Sequence, residues 1–188
     1  MKRVLFIRHY KLEPPYDKKK TISKEAQILL GRGKIDPRIH PDIGRYLQKN
    51  FSRAYFENFD LILSSPSRRS EESARAIRKI FELSLPIRIE NNLREAIWDP
   101  ALGPGRIRRF VEESGLSKIS EVWKRFKALE QRLLKSKYRG ILCVTHFFLI
   151  QNLYLYFVGG KRNYKVIKEN DIRNSVLADY LKGFSVEL

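Results

Sequence analysis

The sequence predicts an α/β fold: a single domain with a mainly parallel sheet and helices on both faces. Three observations lead there. Short, wholly apolar runs, Val4-Leu5-Phe6-Ile7, Leu61-Ile62-Leu63 and Ile141-Leu142-Cys143-Val144, read as strands buried on both faces. Segments with apolar residues at helical spacing alternate with them. The length, 188 residues, suits one domain built on one core, so residues 1–188 are taken as one unit.

Taken in order, residues 2–7 form the first strand. Residues 10–24 follow as a loop rich in Lys and Pro, carrying Pro14-Pro15 and Lys18-Lys19-Lys20. It starts directly after His9, which makes it a rim candidate for any site there. A helix opens near Pro41, with Ile43, Tyr46, Leu47, Phe51 and Tyr55 along one side. Leu61–Leu63 is the second buried strand. Ser67–Leu83 is a helix with Ala74, Ile77, Ile80 and Phe81 on one face, and Pro86 opens a short strand through Ile89. Pro100, Gly103, Pro104 and Gly105 mark a loop, after which helices are expected over about 106–114 and 118–137. Residues 96–138 therefore read as a helical insertion capping the sheet. The strand 141–145 leads into a helix, 147–158, that ends at Gly159-Gly160, and a final strand pair is expected over roughly 164–188.

Composition narrows the function classes. The longest apolar stretch, Phe147 to Val158, is too short to span a bilayer and is interrupted by Gln151 and Asn152. The first residues lack a secretory pattern, and Cys143 is the single cysteine, inside an apolar run where it reads as core. A cytoplasmic, non-membrane protein is expected. One Cys and three His argue against a structural zinc site, and neither metal nor organic cofactor is expected. The net charge of +17 is uneven: residues 1–53 hold 14 Lys/Arg against 5 Asp/Glu. Such a surface attracts anions, whether a small phosphate ester, an acidic protein or nucleic acid. It also fits the ion-pair-rich, Met- and Cys-poor surfaces of thermophilic proteins.

Two histidines stand at strand tips, where open α/β sheets bind their ligands. Arg8-His9 follows the first strand and Thr145-His146 the fourth. A neutral His9 is placed to act as a nucleophile on phosphorus, its tautomer held by a hydrogen bond at the other ring nitrogen. Arg8 offers a planar fork to phosphate and disfavours a charged imidazole beside it. Arg69 would reach in from the start of a helix, where backbone N–H groups also favour an anion. His146 adds a donor, and Glu95 would protonate the leaving oxygen and then take a proton from water. Taken singly, each has an ordinary alternative: a strand-end His, a core His beside Phe147, a solvated Arg, or a loop Glu with Glu90 and Asp99 as neighbours. His40, before Pro41, reads as part of a turn.

In order and spacing these motifs resemble the histidine phosphatase superfamily, the phosphoglycerate mutase-like family. Its Arg-His-Gly motif corresponds to Arg8-His9-Tyr10. Its Ser-Ser-Pro-Leu-x-Arg stretch corresponds to Ser64-Ser65-Pro66-Ser67-Arg68-Arg69, a register that selects Arg69 over Arg68 as phosphate ligand. Leu93-Arg94-Glu95 matches its Leu-x-Glu motif, with Trp98 where the family often has an aromatic. Thr145-His146-Phe147-Phe148 stands for Ser-His-Gly-Gly. Ile43-Gly44-Arg45 and Asn174-Ser175-Val176 resemble two further family stretches.

The resemblance implies a metal-independent phosphatase that works through a phosphohistidine at His9. A small phosphorylated molecule would be substrate and inorganic phosphate a product. The short stretch from Glu95 to His146 favours phosphatase over mutase; a protein phosphohistidine phosphatase is a further alternative. Tyr10, Phe147 and Phe148 replace small family residues, so Tyr10, Phe147 and Trp98 are candidate walls of the substrate pocket. A plugged, inactive module binding anions or nucleic acid is the alternative of another class, less favoured because all five chemically necessary residues are present. Oligomeric state is not legible.

Overall fold

The computed structural model of the chain describes residues 1–16, 23–31, 34–95, 119–162 and 179–188. Strands β1 (Arg3–Arg8), β2 (Leu61–Ser64), β3 (Ile87–Ile89), β4 (Gly140–Thr145) and β5 (Gly183–Glu187) form one sheet in the order β3-β2-β4-β1-β5. The pairs β1–β4, β4–β2 and β2–β3 are parallel, and β5 runs antiparallel to β1 along one edge. The expected mainly parallel sheet is thus present. Helices α1 (Lys24–Gly31), α2 (Ile43–Asn50), α3 (Arg68–Ile80), α4 (Ile119–Lys135) and α5 (Phe147–Phe157) complete the described elements, apart from short 3₁₀ turns.

The apolar runs alternate between two cores because successive strand side chains point to opposite faces. Val4 and Phe6 of β1, with Leu61, Leu63, Ile141 and Cys143, pack under α4 and α5. Leu5 and Ile7, with Ile62, Leu142 and Val144, pack under α2 and α3. A run with no polar residue is what a strand covered on both sides requires. Truncating a fully buried ring such as Phe126, in the middle of α4, would cost about 3–5 kcal/mol through lost burial and the cavity left behind.

Local signals explain the helix that feeds the site. Ser67 caps α3, its side-chain oxygen accepting from the Ser70 N–H. Glu71 in the first turn and Arg78 and Lys79 in the last complement the helix dipole. Gly140 opens β4 where the chain crosses Asn58: a Cβ there would lie 2.0 Å from the Asn58 carbonyl oxygen, so only glycine fits without moving backbone.

Several boundaries differ from expectation. The helix near Pro41 stops at Asn50, and Arg53–Tyr55 form a separate 3₁₀ turn. Helix α1 was not anticipated. Of the insertion expected at 96–138, residues 119–135 are helical, while the helix expected at 106–114 lies outside the described residues. Of the final strand pair only β5 falls within them; Asn174-Ser175-Val176 and Lys18-Lys19-Lys20 do not. Among the described residues no helix is long and apolar enough to cross a membrane.

Candidate functional site

Parallel pairing of β1 with β4 sets Arg8 opposite Thr145, so His9 and His146 leave the sheet side by side. The His9 N–H donates to the Thr145 carbonyl at 2.8 Å. The two imidazole centroids lie 5.2 Å apart with planes at 66°. Both rings are buried, His9 at 7% and His146 at 1% exposure.

The His9 ring is pinned. Nδ1 lies 2.5 Å from the Tyr10 carbonyl oxygen, which can only accept. The proton is therefore on Nδ1, and Nε2 carries the lone pair. Burial, then the charges of Arg69 and Arg8, push the His9 pKa well below 6.5. His146 is lowered in the same direction by burial and by Arg69, His9, Arg8 and Arg125. Both rings are neutral at neutral pH.

This has a consequence for stability. On unfolding, both imidazoles regain their ordinary pKa and bind protons below about pH 6.5 that the folded protein refuses. Stability is therefore complete above that pH and is lost as the pH falls through it, with at most about 1.4 kcal/mol per pH unit from each ring. Urea unfolding of wild type and His146→Gln at pH 7 and pH 5 measures this. The wild type should lose more stability between the two pH values, and equal losses would contradict the assignment.

Around the histidines, Ser65 Oγ lies 2.7 Å and Ser67 Oγ 3.4 Å from His146 Nε2. Among the described residues Nδ1 of His146 has no hydrogen-bond partner, and it faces Glu95 Oε2 at 3.9 Å. Glu95 is brought there by its own segment. Leu93 is buried, its carbonyl accepts from Thr145 Oγ1 at 2.7 Å, and Arg125 Nη1 of α4 donates to the Arg94 carbonyl at 2.8 Å. The rival Glu90 is engaged elsewhere, accepting from Asn92 and from Arg132 Nη1. Asp99 and Trp98 lie outside the described residues.

The two arginines of the α3 start separate clearly. Arg69 is buried at 9% exposure, its Nη1 2.8 Å from Asp36 Oδ1. Arg68 turns outward and pairs with Glu72 at 2.9 Å. The second Asp36 oxygen accepts from the Arg68 backbone N–H at 2.5 Å. A carboxylate thus occupies a helix N-terminus beside a guanidinium, the kind of position that suits an anion. Arg8 is sandwiched, its guanidinium carbon 4.1 Å from the Tyr180 ring centre and 5.0 Å from that of Phe147.

Tyr10 corrects the expectation of a pocket wall. Its ring is 2% exposed and packs in the α2–α3 core against Tyr46 at 4.9 Å and Tyr180 at 5.9 Å. It contributes its carbonyl to the site, and its backbone needs no positive φ. Phe147 is half-buried beside Arg8, whereas His40 sits in a turn against Asp42 at 2.6 Å. Cys143 is buried within β4, and burial raises its thiol pKa. Asp36, Arg125 and Tyr180 were not singled out from sequence, and Ser65 and Ser67 entered only as part of the Ser64–Arg69 motif, with no role of their own. Ser65 and Ser67 lie within the Ser64–Arg69 motif, so their hydroxyls were a readable signal, whereas Asp36 and Tyr180 reach the site only through tertiary contacts. Among the described residues no group of three or more His, Cys, Asp or Glu is placed to hold a metal ion.

Comparison with known proteins places the fold. No curated protein sequence matches the chain. Solved structures share its fold, among them the three that follow. A candidate α-ribazole-5′-phosphate phosphatase from Escherichia coli aligns with TM-score 0.60 at 17% identity, over 85% of this chain and 81% of that one. A mycobacterial glucosyl-3-phosphoglycerate phosphatase aligns with TM-score 0.55 at 19% identity, over 92% and 87%. A phosphoserine phosphatase from Entamoeba histolytica aligns with TM-score 0.53 at 18% identity, over 85% and 81%. The family model of the histidine phosphatase superfamily (branch 1) matches residues 31–168, and the chain belongs to that superfamily.

Proposed function

We propose that this protein is a phosphatase that hydrolyses small phosphomonoesters through a phosphohistidine at His9, without a metal. The observation that carries the reading is the buried pair His9–His146, with His9 Nδ1 held on the Tyr10 carbonyl and Nε2 free. The lone pair on Nε2 attacks phosphorus as the bond to the ester oxygen breaks, and Glu95 protonates that oxygen as it leaves. Glu95, now a carboxylate, takes a proton from water. The hydroxide displaces His9 from phosphorus, the electron pair returns to Nε2, and inorganic phosphate departs. Arg8, Arg69 and His146 hold the equatorial oxygens and offset the charge that builds there.

Superfamily membership supports phosphoryl chemistry, and the named activities of the three structural neighbours support a small phosphorylated substrate. The short stretch from Glu95 to His146 favours hydrolysis over mutase transfer. The inward turn of Tyr10 removes one of the three bulky residues on which a plugged, inactive pocket would depend. Release of phosphate from p-nitrophenyl phosphate in EDTA tests the proposal. Metal-independent turnover is expected, and its absence across a panel of small phosphate esters would overturn it.

The placement of the two arginines gives a sharper test. Arg69→Ala is expected to lower kcat by about 10²–10³, the usual cost of one preorganised donor. Arg68→Ala removes only an exposed ion pair and should change kcat less than about threefold. Equal effects would mean that Arg69 does not hold the phosphoryl group.

A further inference from the structure

A cavity of about 410 Å³ lies away from the histidines, between the C-terminal half of α4 and the edge of the sheet at β2 and β3. That volume is typical of small-ligand sites. Leu61 and Leu63 show a little surface at its floor, above the fully buried Leu133 and Ile141. Its rim carries four cations, Arg88, Arg132, Lys135 and Lys137, and the single acid lining it, Glu90, is buried beneath them.

Glu90 cannot neutralise this rim. One of its carboxylate oxygens accepts from the Asn92 N–H and side chain, and the other from Arg132 at 2.6 Å. Among the described residues Arg88, Lys135 and Lys137 have no carboxylate partner. Two of them gather instead around one ring. The Arg88 guanidinium lies 5.4 Å and the Lys137 ammonium 5.5 Å from the Tyr138 ring centre, and Arg88 Nη2 donates to the Tyr138 hydroxyl at 3.3 Å. Like charges drawn to one aromatic repel each other, and a polyanion between them would relieve that.

We propose that this groove is a second ligand site that takes an organic polyanion with a flat, largely apolar body, of which a nucleoside polyphosphate is the fitting class. The flat body would lie against Tyr138 and the small exposed edges of Leu61 and Leu63, and the phosphates would bridge Arg88, Lys135 and Lys137. None of the residues assigned to the reaction lines the groove, so the site is independent of the proposed chemistry.

Fluorescence titration with N-methylanthraniloyl-ATP tests this, with excess inorganic phosphate present to occupy the histidine site. The full chain and its His9→Ala variant should both bind saturably. Arg88→Glu/Lys137→Glu should weaken binding at least about tenfold, since two attractive contacts become repulsive. The milder Arg88→Gln/Lys137→Gln should fall between. The control Lys49→Glu/Lys79→Glu, with the same change of net charge on exposed residues outside the groove, should change Kd less than about threefold. Hydrolysis of p-nitrophenyl phosphate by the groove variants should match wild type. Three outcomes would each overturn the proposal: no saturable binding, equal loss in groove and control variants, or loss in His9→Ala.

Discussion

Replacing His9 by alanine is expected to abolish turnover of p-nitrophenyl phosphate and to remove any phosphoenzyme. Loss of a nucleophile that acts in concert with its neighbours costs on the order of 10⁴–10⁶ in kcat. The reason lies in the geometry. Nδ1 is committed to the Tyr10 carbonyl, so Nε2 is the nitrogen with a lone pair. Burial and the charges of Arg69 and Arg8 keep the ring unprotonated, so no proton must leave before attack. His146 is also kept neutral, but its Nε2 is already engaged by Ser65 at 2.7 Å and is not free to attack. Quenching a reaction with labelled substrate should trap a phosphoryl group that is stable in alkali and labile in acid, as a phosphoramidate is. His9→Ala should trap none. Substantial turnover in His9→Ala, with near-UV circular dichroism showing an intact fold, would remove His9 as nucleophile.

Glu95→Gln should leave the phosphoryl-binding groups in place and remove the proton donor. Esters with a poor, alkoxide-like leaving group should slow by about 10²–10⁴, the range of general acid catalysis. An aryl ester such as p-nitrophenyl phosphate needs little help as it departs and should slow far less in its first step. The comparison separates the role of Glu95 at the leaving oxygen from a purely structural one. Glu95 faces His146 Nδ1 at 3.9 Å, so a disturbed His146 would slow both substrates alike. Equal slowing would therefore assign Glu95 to positioning.

Much of the architecture was legible because burial on two faces leaves a plain mark in a sequence. Val4–Ile7 and Ile141–Val144 contain no polar residue, and each proved to divide its side chains between the two cores. Helix α3 was readable for a similar reason, its cap at Ser67 and apolar positions at Ala74 and Ile77 being local signals. Boundaries were less so: the helix begun at Ile43 ends at Asn50, because Phe51 adopts an extended backbone and nothing in the spacing of Phe51 and Tyr55 announces it.

Tyr10 shows where local reading stops. Within β1 side-chain parity sorts residues by face, and the even positions Val4 and Phe6 point towards α4 and α5. The strand ends at Arg8, parity lapses, and Tyr10 joins Leu5 and Ile7 in the opposite core. Asp36 illustrates the same limit over a longer range. Its pairing with Arg69 joins residues 33 positions apart, on either side of α2 and β2, a meeting that no short-range pattern encodes.

The sequence by itself determined the kind of fold, the buried strands and the residue types gathered at their carboxyl ends, because hydrophobic periodicity and motif spacing are local properties of a chain. The tertiary structure decided that β1 lies beside β4, that Asp36 pairs with Arg69, and that Tyr10 leaves the pocket. Each of these depends on which distant surfaces pack together, and packing of that kind is settled by the whole core rather than by any one stretch of residues.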